Sequence, residues 1–350
     1  MENCTSPILD AIPLDTGLLH EAANICREAV NITVNSSGGV AAADNVDTTT
    51  LSVFLGLIAL IILVANSFVI YLFIRTRSLR TITNACLVSL AVSDLLAGLV
   101  AIPMIILSFV LQSPVIRIVM DLASRFIAIS TVLHLLVVSL ERYVMIVFPM
   151  KYHALVTPPR VCAVVTIVWV FSLFVDLIQI VWIVDSEPVT LADVVYSFSS
   201  FFGIVVPALC AMAVAYVHIF IVLRKQIQQI KKLHVIMVCM TDDAEKSPSG
   251  RRKSTRSEGR AIMIFASMIA AFIFGWLPYF IIGMLQDLQI NVYAVLPTTV
   301  IILTLFLRFL SSLANPLLYT FFKTDFQLAL KKRNERIRRI ARESLKLSQV

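Results

Sequence analysis

The stretch Asn315-Pro316-Leu317-Leu318-Tyr319 closes the last of seven long apolar runs in this chain of 350 residues, and Glu141-Arg142-Tyr143 closes the third. Apolar residues make up 59% of the sequence, which leaves too little polar surface for a water-soluble protein of this length. Each run is near or above the roughly 20 residues that a helix needs to cross hydrocarbon. The sequence therefore predicts an all-α membrane protein, a bundle of seven transmembrane helices. The predicted runs are 51–74, 82–111, 118–147, 161–184, 196–223, 260–286 and 292–321.

Basic residues are concentrated in alternate segments between the runs. The first fifty residues hold one basic residue, Arg27, against seven acidic residues, whereas the segments 224–260 and 323–350 are rich in Lys and Arg. Because positive charge accumulates on the cytoplasmic side, we expect a multi-pass protein of the plasma membrane with its N-terminus outside the cell. The net charge of +7 then suits anionic lipids and cytosolic proteins, and no nucleic-acid partner is expected.

The tail that precedes the first run, residues 1–50, carries the acceptor pattern for N-linked glycosylation at Asn3, Asn31 and Asn35. A tail outside the cell is where such acceptors are glycosylated. Cys4 and Cys26 lie in the same tail. They either pair with each other in that oxidising environment or stay free.

The rest of the chain divides into a membrane domain, 51–322, and a C-terminal segment, 323–350. Within the membrane domain, 224–259 is the predicted third cytoplasmic loop. Apolar and basic residues alternate in the C-terminal segment, which predicts a short amphipathic eighth helix on an anionic leaflet; the alternative is a solvated basic helix. The apolar residues are Phe322, Phe326, Leu328 and Leu330, and the basic residues are Lys323, Lys331, Lys332 and Arg333.

Several polar residues interrupt the apolar runs. Hydrocarbon penalises such side chains unless they face one another inside the bundle, so we expect an interior polar cluster with Asp94 as its charged member. The other members are Asn66, Thr131, Ser311, Ser312 and Asn315.

The motifs resemble those of the rhodopsin-like, or class A, G protein-coupled receptors. The matching stretches are Leu90-Ala91-Val92-Ser93-Asp94, Glu141-Arg142-Tyr143, Gly275-Trp276-Leu277-Pro278, in which Gly replaces a Cys, and Asn315-Pro316-Leu317-Leu318-Tyr319. The resemblance covers residues 51–335 and implies a receptor that passes a signal from an extracellular ligand to heterotrimeric G proteins. The stretch 151–157 looks like melanocortin and adenosine receptors, which places the chain loosely in the grouping of melanocortin, lysophospholipid, cannabinoid and adenosine receptors.

The resemblance assigns roles to the interior cluster and to the end of the third helix. In the family, the group that matches Asp94, Thr131, Ser311 and Asn315 binds a sodium ion; the alternative is a hydrogen-bonded cluster without an ion. No other cofactor is expected. The resting receptor holds the equivalent of Arg142 with its neighbouring acid and with an acid on the sixth helix, which here is Glu258; the alternative is a solvated charge pair. The implied switch comprises Glu141, Arg142, Tyr143, Glu258, Trp276, Pro278, Asn315, Pro316 and Tyr319.

The chain departs from the family pattern in two places. None of its six Cys lies where the family joins the third helix to the second outer loop, and Cys86, Cys162 and Cys210 are expected to be small buried side chains. Tyr216 follows Pro207 by nine residues, whereas the family spacing is eight. Either Pro207 is displaced or the fifth helix carries a local bulge.

A ligand pocket is expected at the outer ends of the helices, with Trp276 as its floor. Ser124 stands where the amine receptors carry an amine-binding Asp, so the resemblance disfavours a monoamine. Two arginines that face the bundle suggest a peptide, lipid or small molecule with an acidic group. The alternative is internal pairing, of Arg125 with Asp121 and of Arg308 with Asp176 or another acid. The expected pocket residues are Asp121, Ser124, Arg125, Trp276 and Arg308.

The cytoplasmic segments suggest regulation. Arg251-Arg252-Lys253-Ser254 offers a basic-directed phosphorylation site at Ser254, and arrestin is a second expected partner, with few Ser or Thr in the tail to recruit it. No phosphate-binding loop, metal-spaced His/Cys cluster or nucleophile motif is present, so no enzyme activity is expected. The alternative to a ligand-gated receptor is a receptor-like protein that signals constitutively or serves as a partner subunit.

Overall fold

The computed structural model describes residues 48–183, 191–240 and 249–347. Contacts divide the chain into residues 1–51, of which only the opening turn of the first helix is described, and residues 52–350, which hold the bundle. Among the described residues, seven helices are long and apolar enough to cross a membrane, which confirms the predicted fold. We number them α1–α7: Thr48–Arg75, Ile82–Leu111, Pro114–Val147, Pro158–Trp182, Leu191–Gln229, Met263–Asp287 and Thr298–Phe322. An eighth helix, α8, spans Thr324–Leu347 and is longer than predicted.

The helix boundaries differ from the apolar runs where proline intervenes. Pro114 is the first residue of α3, because its fixed φ suits the first turn of a helix. The apolar run that begins at 292 is split into a short helix, Val292–Val295, and α7, because Pro297 has no N–H to continue a helix. The helix that contains the end of α5 continues to Met240, and the helix that contains α6 begins at Ser249. Much of the segment 224–259 is therefore helical.

Two membrane helices contain a wide π turn, at Ala97–Ala101 in α2 and at Phe201–Val205 in α5. Each turn holds the residue four positions before a proline, Pro103 or Pro207, where the proline ring would meet the backbone carbonyl. The fifth helix therefore carries a local bulge, but at a different place from the one that the spacing of Pro207 and Tyr216 suggested. Because the bulge precedes Pro207, it does not account for the nine-residue spacing to Tyr216.

Helix α3 is the most buried of the seven. In its apolar stretch of 18 residues 61% of the residues are buried, against 17% in that of α4. Most large apolar side chains of α1 and α4 face outward, as lipid-solvated helices require. The expectation for the cysteines holds only for Cys86, since Cys162 and Cys210 lie on the exposed surface of the bundle. Lipid solvates these small apolar side chains as well as a protein interior does.

The two ends of α3 give the bundle its landmarks. Arg125 and Arg142 are separated by about 25 Å of helix at 1.5 Å per residue. We call the two ends of the bundle the Arg125 end and the Arg142 end.

Candidate functional site

A small cleft of about 80 Å³ opens at the Arg125 end between α3, α5 and α6. Two of the five expected pocket residues, Asp121 and Arg125, line it. The sequence offered no signal for the other polar lining residues, because they lie on α5 and α6 at positions that no motif marks. These are Ser197, Ser200, Tyr279, Gln286 and Asp287.

The charges of the cleft form one network. Arg125 Nη2 lies 3.3 Å from Asp121 Oδ2, four residues earlier on α3, and Arg125 Nη1 donates to Ser197 Oγ at 3.0 Å. The Ser197 hydroxyl donates in turn to Asp287, and the Tyr279 hydroxyl donates to Asp121 Oδ1 at 3.3 Å. Arg125 is thus paired internally, which was one of its two alternatives.

Arg308 lies in the bundle close to Tyr279 and is only 5% exposed. Its guanidinium carbon is 4.8 Å from the ring centres of both Tyr279 and Phe309, and its Nε has no hydrogen-bond partner. The alternative pairing with Asp176 is not found among the salt bridges of the described residues. This arginine therefore keeps a buried charge that forms no salt bridge among the described residues, although Tyr279 and Asp121 lie within its electrostatic reach.

Three expected pocket residues, Arg308, Ser124 and Trp276, do not line the cleft. Ser124 is buried, and its hydroxyl donates to Met120 O at 2.8 Å within α3. Trp276 is fully buried, with its ring 5.6 Å from Tyr279 and 6.5 Å from Phe272. The Trp276 ring packs against Tyr279, which lines the cleft, and is itself separated from the cleft.

The interior cluster centres on Asp94, which is fully buried. Asn315 Nδ2 donates to Asp94 Oδ2 at 3.0 Å. Thr131 instead lies 3.5 Å from Ser93, and the Ser311 hydroxyl donates to the Arg308 carbonyl of its own helix at 2.6 Å. Only Asn315 of the three expected partners thus bonds Asp94.

Two buried oxygens of this cluster, Asp94 Oδ1 and Asn66 Oδ1, have no hydrogen-bond partner. Carboxylate and amide oxygens are suitable ligands for a sodium ion, so these two atoms fit that ion better than Thr131 and Ser311 do.

At the Arg142 end, the Glu141 carboxylate contacts three side chains. Its Oε2 lies 3.1 Å from Arg142 Nε, in a charge contact that lacks good hydrogen-bond alignment. Thr83 and Tyr152 donate to Glu141 Oε1 at 2.7 and 2.6 Å. Burial, and then the bond to this carboxylate, raise the pKa of the Tyr152 phenol.

The sixth helix meets Arg142 through an aromatic ring. The Arg142 guanidinium carbon lies 5.2 Å from the centre of the Phe265 ring. Glu258 belongs to the helix Ser249–Asp287, but its side chain lies outside the described residues, as does that of Ser254. The glycosylation acceptors Asn3, Asn31 and Asn35, and the cysteines Cys4 and Cys26, also lie outside them.

The remaining switch residues occupy the junctions between helices. The Tyr143 hydroxyl is 3.0 Å from His218 Nδ1 on α5. Pro278 and Pro316 lie inside their helices. Tyr319 is fully buried, and its ring centre is 5.6 Å from that of Phe326, which joins α7 to α8.

Lys323 corrects the prediction that the basic residues of the C-terminal segment face the leaflet. It is only 6% exposed, because its position between α7 and α8 turns it inward, where its Nζ donates to Asn84 Oδ1. Burial, and then the nearby Arg142 charge, lower the pKa of this amine to about 8. Lys331 and Lys332 are exposed, as expected.

The family of the chain follows from comparison with known proteins. Residues 65–319 match the model of the 7 transmembrane receptor (rhodopsin family). The histamine H2 receptor of Cavia porcellus is 28% identical over 303 residues, which cover 80% of this chain and 78% of that receptor. The 5-hydroxytryptamine receptor 1E of the same species is 25% identical, over 79% of this chain and 90% of that receptor.

The adenosine receptor A2b of Gallus gallus is 25% identical, over 79% of this chain and 85% of that receptor. The adenosine receptor belongs to the grouping that the motifs suggested, whereas the histamine and serotonin receptors lie outside it. All three relatives are receptors and not enzymes. The chain belongs to the rhodopsin family of seven-transmembrane receptors.

Proposed function

We propose that this receptor carries a signal from a ligand with an acidic group, bound at the Arg125 end, to a heterotrimeric G protein at the Arg142 end. The Arg125 end and the N-terminus face outward from the plasma membrane in this proposal, because the basic residues are concentrated at the opposite side. The buried Arg308 is the observation that carries the ligand class. Its guanidinium lies against two aromatic rings and forms no salt bridge among the described residues, although Asp121 is within electrostatic reach, and this favours a bound anion as its direct partner.

The charges of the cleft support this choice. Arg125 is already matched by Asp121, so an acidic ligand group gains more from Arg308. A buried cation without a carboxylate partner is costly, and a bound anion relieves that cost. The Ser124 hydroxyl donates to a carbonyl of its own helix, and this side chain has no charge that could bind an amine. The names of the relatives include histamine and 5-hydroxytryptamine, but the acid that the amine receptors use is missing here.

The proposed route from the ligand to the G protein follows α6. Arg308 contacts Tyr279, which contacts Trp276, and Pro278 lies within the helix between these two residues. Helix α6 then runs to Phe265, which lies over Arg142. A small movement of α6 at the ligand would thus reach the arginine that the G protein reads. Glu141, Tyr143, Asn315, Pro316 and Tyr319 hold the resting arrangement.

The first experiment measures cAMP in cells that express equal surface levels of the wild type and of Arg142→Ala, with no ligand added. We expect cells with the wild type to have a basal cAMP level that differs from that of untransfected cells. Cells with Arg142→Ala should have the same level as untransfected cells. A level that is unchanged in both would contradict signalling through cAMP. A large shift that no acidic compound alters would favour the constitutive alternative.

The second experiment tests the ligand class with a panel of mono- and dicarboxylates. The thermal unfolding temperature of the purified receptor is measured with each compound. We expect stabilisation by at least one carboxylate, lost in Arg308→Gln and weakened by added salt, because the attraction is electrostatic. Arg117→Gln, at an exposed arginine whose side chain bonds the Gln112 carbonyl, is the control and should keep the response. A panel without effect contradicts the acidic ligand.

A further inference from the structure

A second group of polar side chains lies on α4 and has no part in the proposed ligand site. Ser172, Asp176 and Gln179 follow one another at helical spacing on a single face, and they are 0%, 3% and 2% exposed. None of the three lines the cleft at the Arg125 end. A carboxylate so deeply buried in a membrane helix is costly unless it has a partner.

The structure leaves acceptor oxygens of this group without partners. Asp176 Oδ1, Gln179 Oε1 and Ser172 Oγ have no hydrogen-bond partner among the described residues, and the same holds for the hydroxyl of Tyr196 on α5. Tyr196 is 8% exposed and lies within electrostatic reach of Asp176. The corner between α4 and α5 therefore holds a carboxylate oxygen, an amide oxygen and a phenol oxygen that have no hydrogen-bond partner among the described residues.

The nearest opposite charge is committed elsewhere. Arg125 lies within electrostatic reach of Asp176, and its guanidinium carbon is 5.4 Å from the centre of the Tyr196 ring. Its two Nη atoms, however, serve Asp121 and Ser197. Asp176 therefore keeps an acceptor free for another cation.

We propose that Asp176, with Gln179 and Tyr196, binds a small monovalent cation, which is either the ammonium group of an organic amine or a sodium ion. One carboxylate balances one positive charge. The described residues contain no group of three or more His, Cys, Asp or Glu side chains that could hold a metal ion, which disfavours a divalent ion. An N–H donor or a bare ion would satisfy the carboxylate, amide and phenol oxygens together.

This site goes beyond the proposed function and does not rest on it, because Arg308 and Asp176 lie on α7 and α4 and form no ion pair. If both proposals hold, a single ligand that reaches both sites carries an acidic group and an amine.

The test measures thermal unfolding of the purified full-length receptor in detergent at constant ionic strength. Methylammonium chloride, tetramethylammonium chloride and sodium chloride are titrated separately, with choline chloride, whose quaternary ammonium has no N–H donor, as the balancing salt. We expect a saturable rise of about 3 °C at ten times the dissociation constant with methylammonium or sodium. Tetramethylammonium has no N–H donor and is larger, so it should have no saturable effect.

Three variants decide the result. Asp176→Asn should abolish the response, and it should fold at least as well as the wild type because it removes a buried charge. Gln179→Leu keeps the charge and should weaken the apparent affinity, so it also decides the question if Asp176→Asn is poorly expressed. Asp94→Asn removes the expected sodium ligand of the interior cluster and should keep the methylammonium response, so sodium is titrated in that background.

The salts identify the source of the cation. A response through Asp176 to methylammonium assigns the site to an organic amine, and one to sodium alone assigns it to the ion. Equal rises with all three salts, or a response that survives both Asp176→Asn and Gln179→Leu, would overturn the proposal. Arg308→Gln should keep the cation response, so failure of the acidic ligand and failure of this site are distinguishable.

Discussion

Lys323 shows how one side chain can connect three elements. It follows α7 directly, donates to Asn84 on α2, and lies 3.8 Å from Asp325 on α8. Glu141 and Arg142 of α3 also act on it, with opposite signs. A basic residue in an amphipathic pattern would face lipid headgroups, but its position in the turn before α8 points it into the bundle.

The lowered pKa of Lys323 predicts a pH dependence of stability. Burial reduces the pKa from the ordinary 10.5 to about 8, so the charged amine destabilises the folded state below pH 8. As pH rises from 8 towards 10.5, the folded amine loses its proton first, and stability should increase by up to about 3 kcal/mol.

Thermal unfolding between pH 7 and about pH 9.5 measures this increment. Lys323→Gln should lose it, whereas Lys331→Gln, at an exposed lysine of α8, should keep it. Identical pH profiles for the wild type and Lys323→Gln would contradict the prediction.

At the scale of the elements, α6 and α7 approach each other closely at Gly275. A Cβ added there would lie 2.9 Å from the Leu307 carbonyl and 2.9 Å from Ser311 Cβ. The family has Cys at this position, so this chain packs the two helices more closely than that motif would allow. The approach lies one residue from Trp276 and so belongs to the proposed route through α6.

Gly275→Ala should therefore lower the unfolding free energy by about 1–3 kcal/mol, because Leu307 offers a rigid backbone atom. Gly56→Ala in α1 is the matched control, since nothing lies within 4 Å of its added Cβ. That control should be neutral or stabilise by about 0.5–1 kcal/mol. Chemical denaturation of both purified variants measures the difference. Equal stability of the two would refute the close approach.

At the scale of the whole molecule, α3 and α6 connect the two ends of the bundle. Helix α3 carries Arg125 at one end and the Glu141–Arg142 pair at the other, and α6 carries Tyr279 and Phe265 at corresponding levels. The charge contact of Arg142 is held by Glu141, which Thr83 and Tyr152 orient.

Glu141→Gln should release Arg142 from its charge contact. The difference in basal cAMP from Arg142→Ala should then be larger than that of the wild type, by about fivefold if the contact is worth about 1 kcal/mol. The neutral Gln keeps an acceptor for Thr83 and Tyr152, so folding should be preserved. Asp325→Asn, at a half-exposed acid of the same end, should leave cAMP unchanged. Surface-matched cells provide the measurement, and unchanged cAMP in Glu141→Gln would contradict the resting role of the pair.

The seven helices and their order can be deduced from the amino-acid order alone, because length and apolarity are local properties that lipid imposes on each span. Polarity within apolar runs marked Asp94 and Asn315, and the resemblance to the family marked Arg142 and Trp276. The partners of these residues could not be deduced, since they come from helices distant in sequence. Helix rotation and packing, which only the folded chain decides, bring these partners together or leave them apart. They place the ring of Phe265 over Arg142, turn Lys323 inward, join Ser197 to Asp287 and leave Asp176 Oδ1 without a partner.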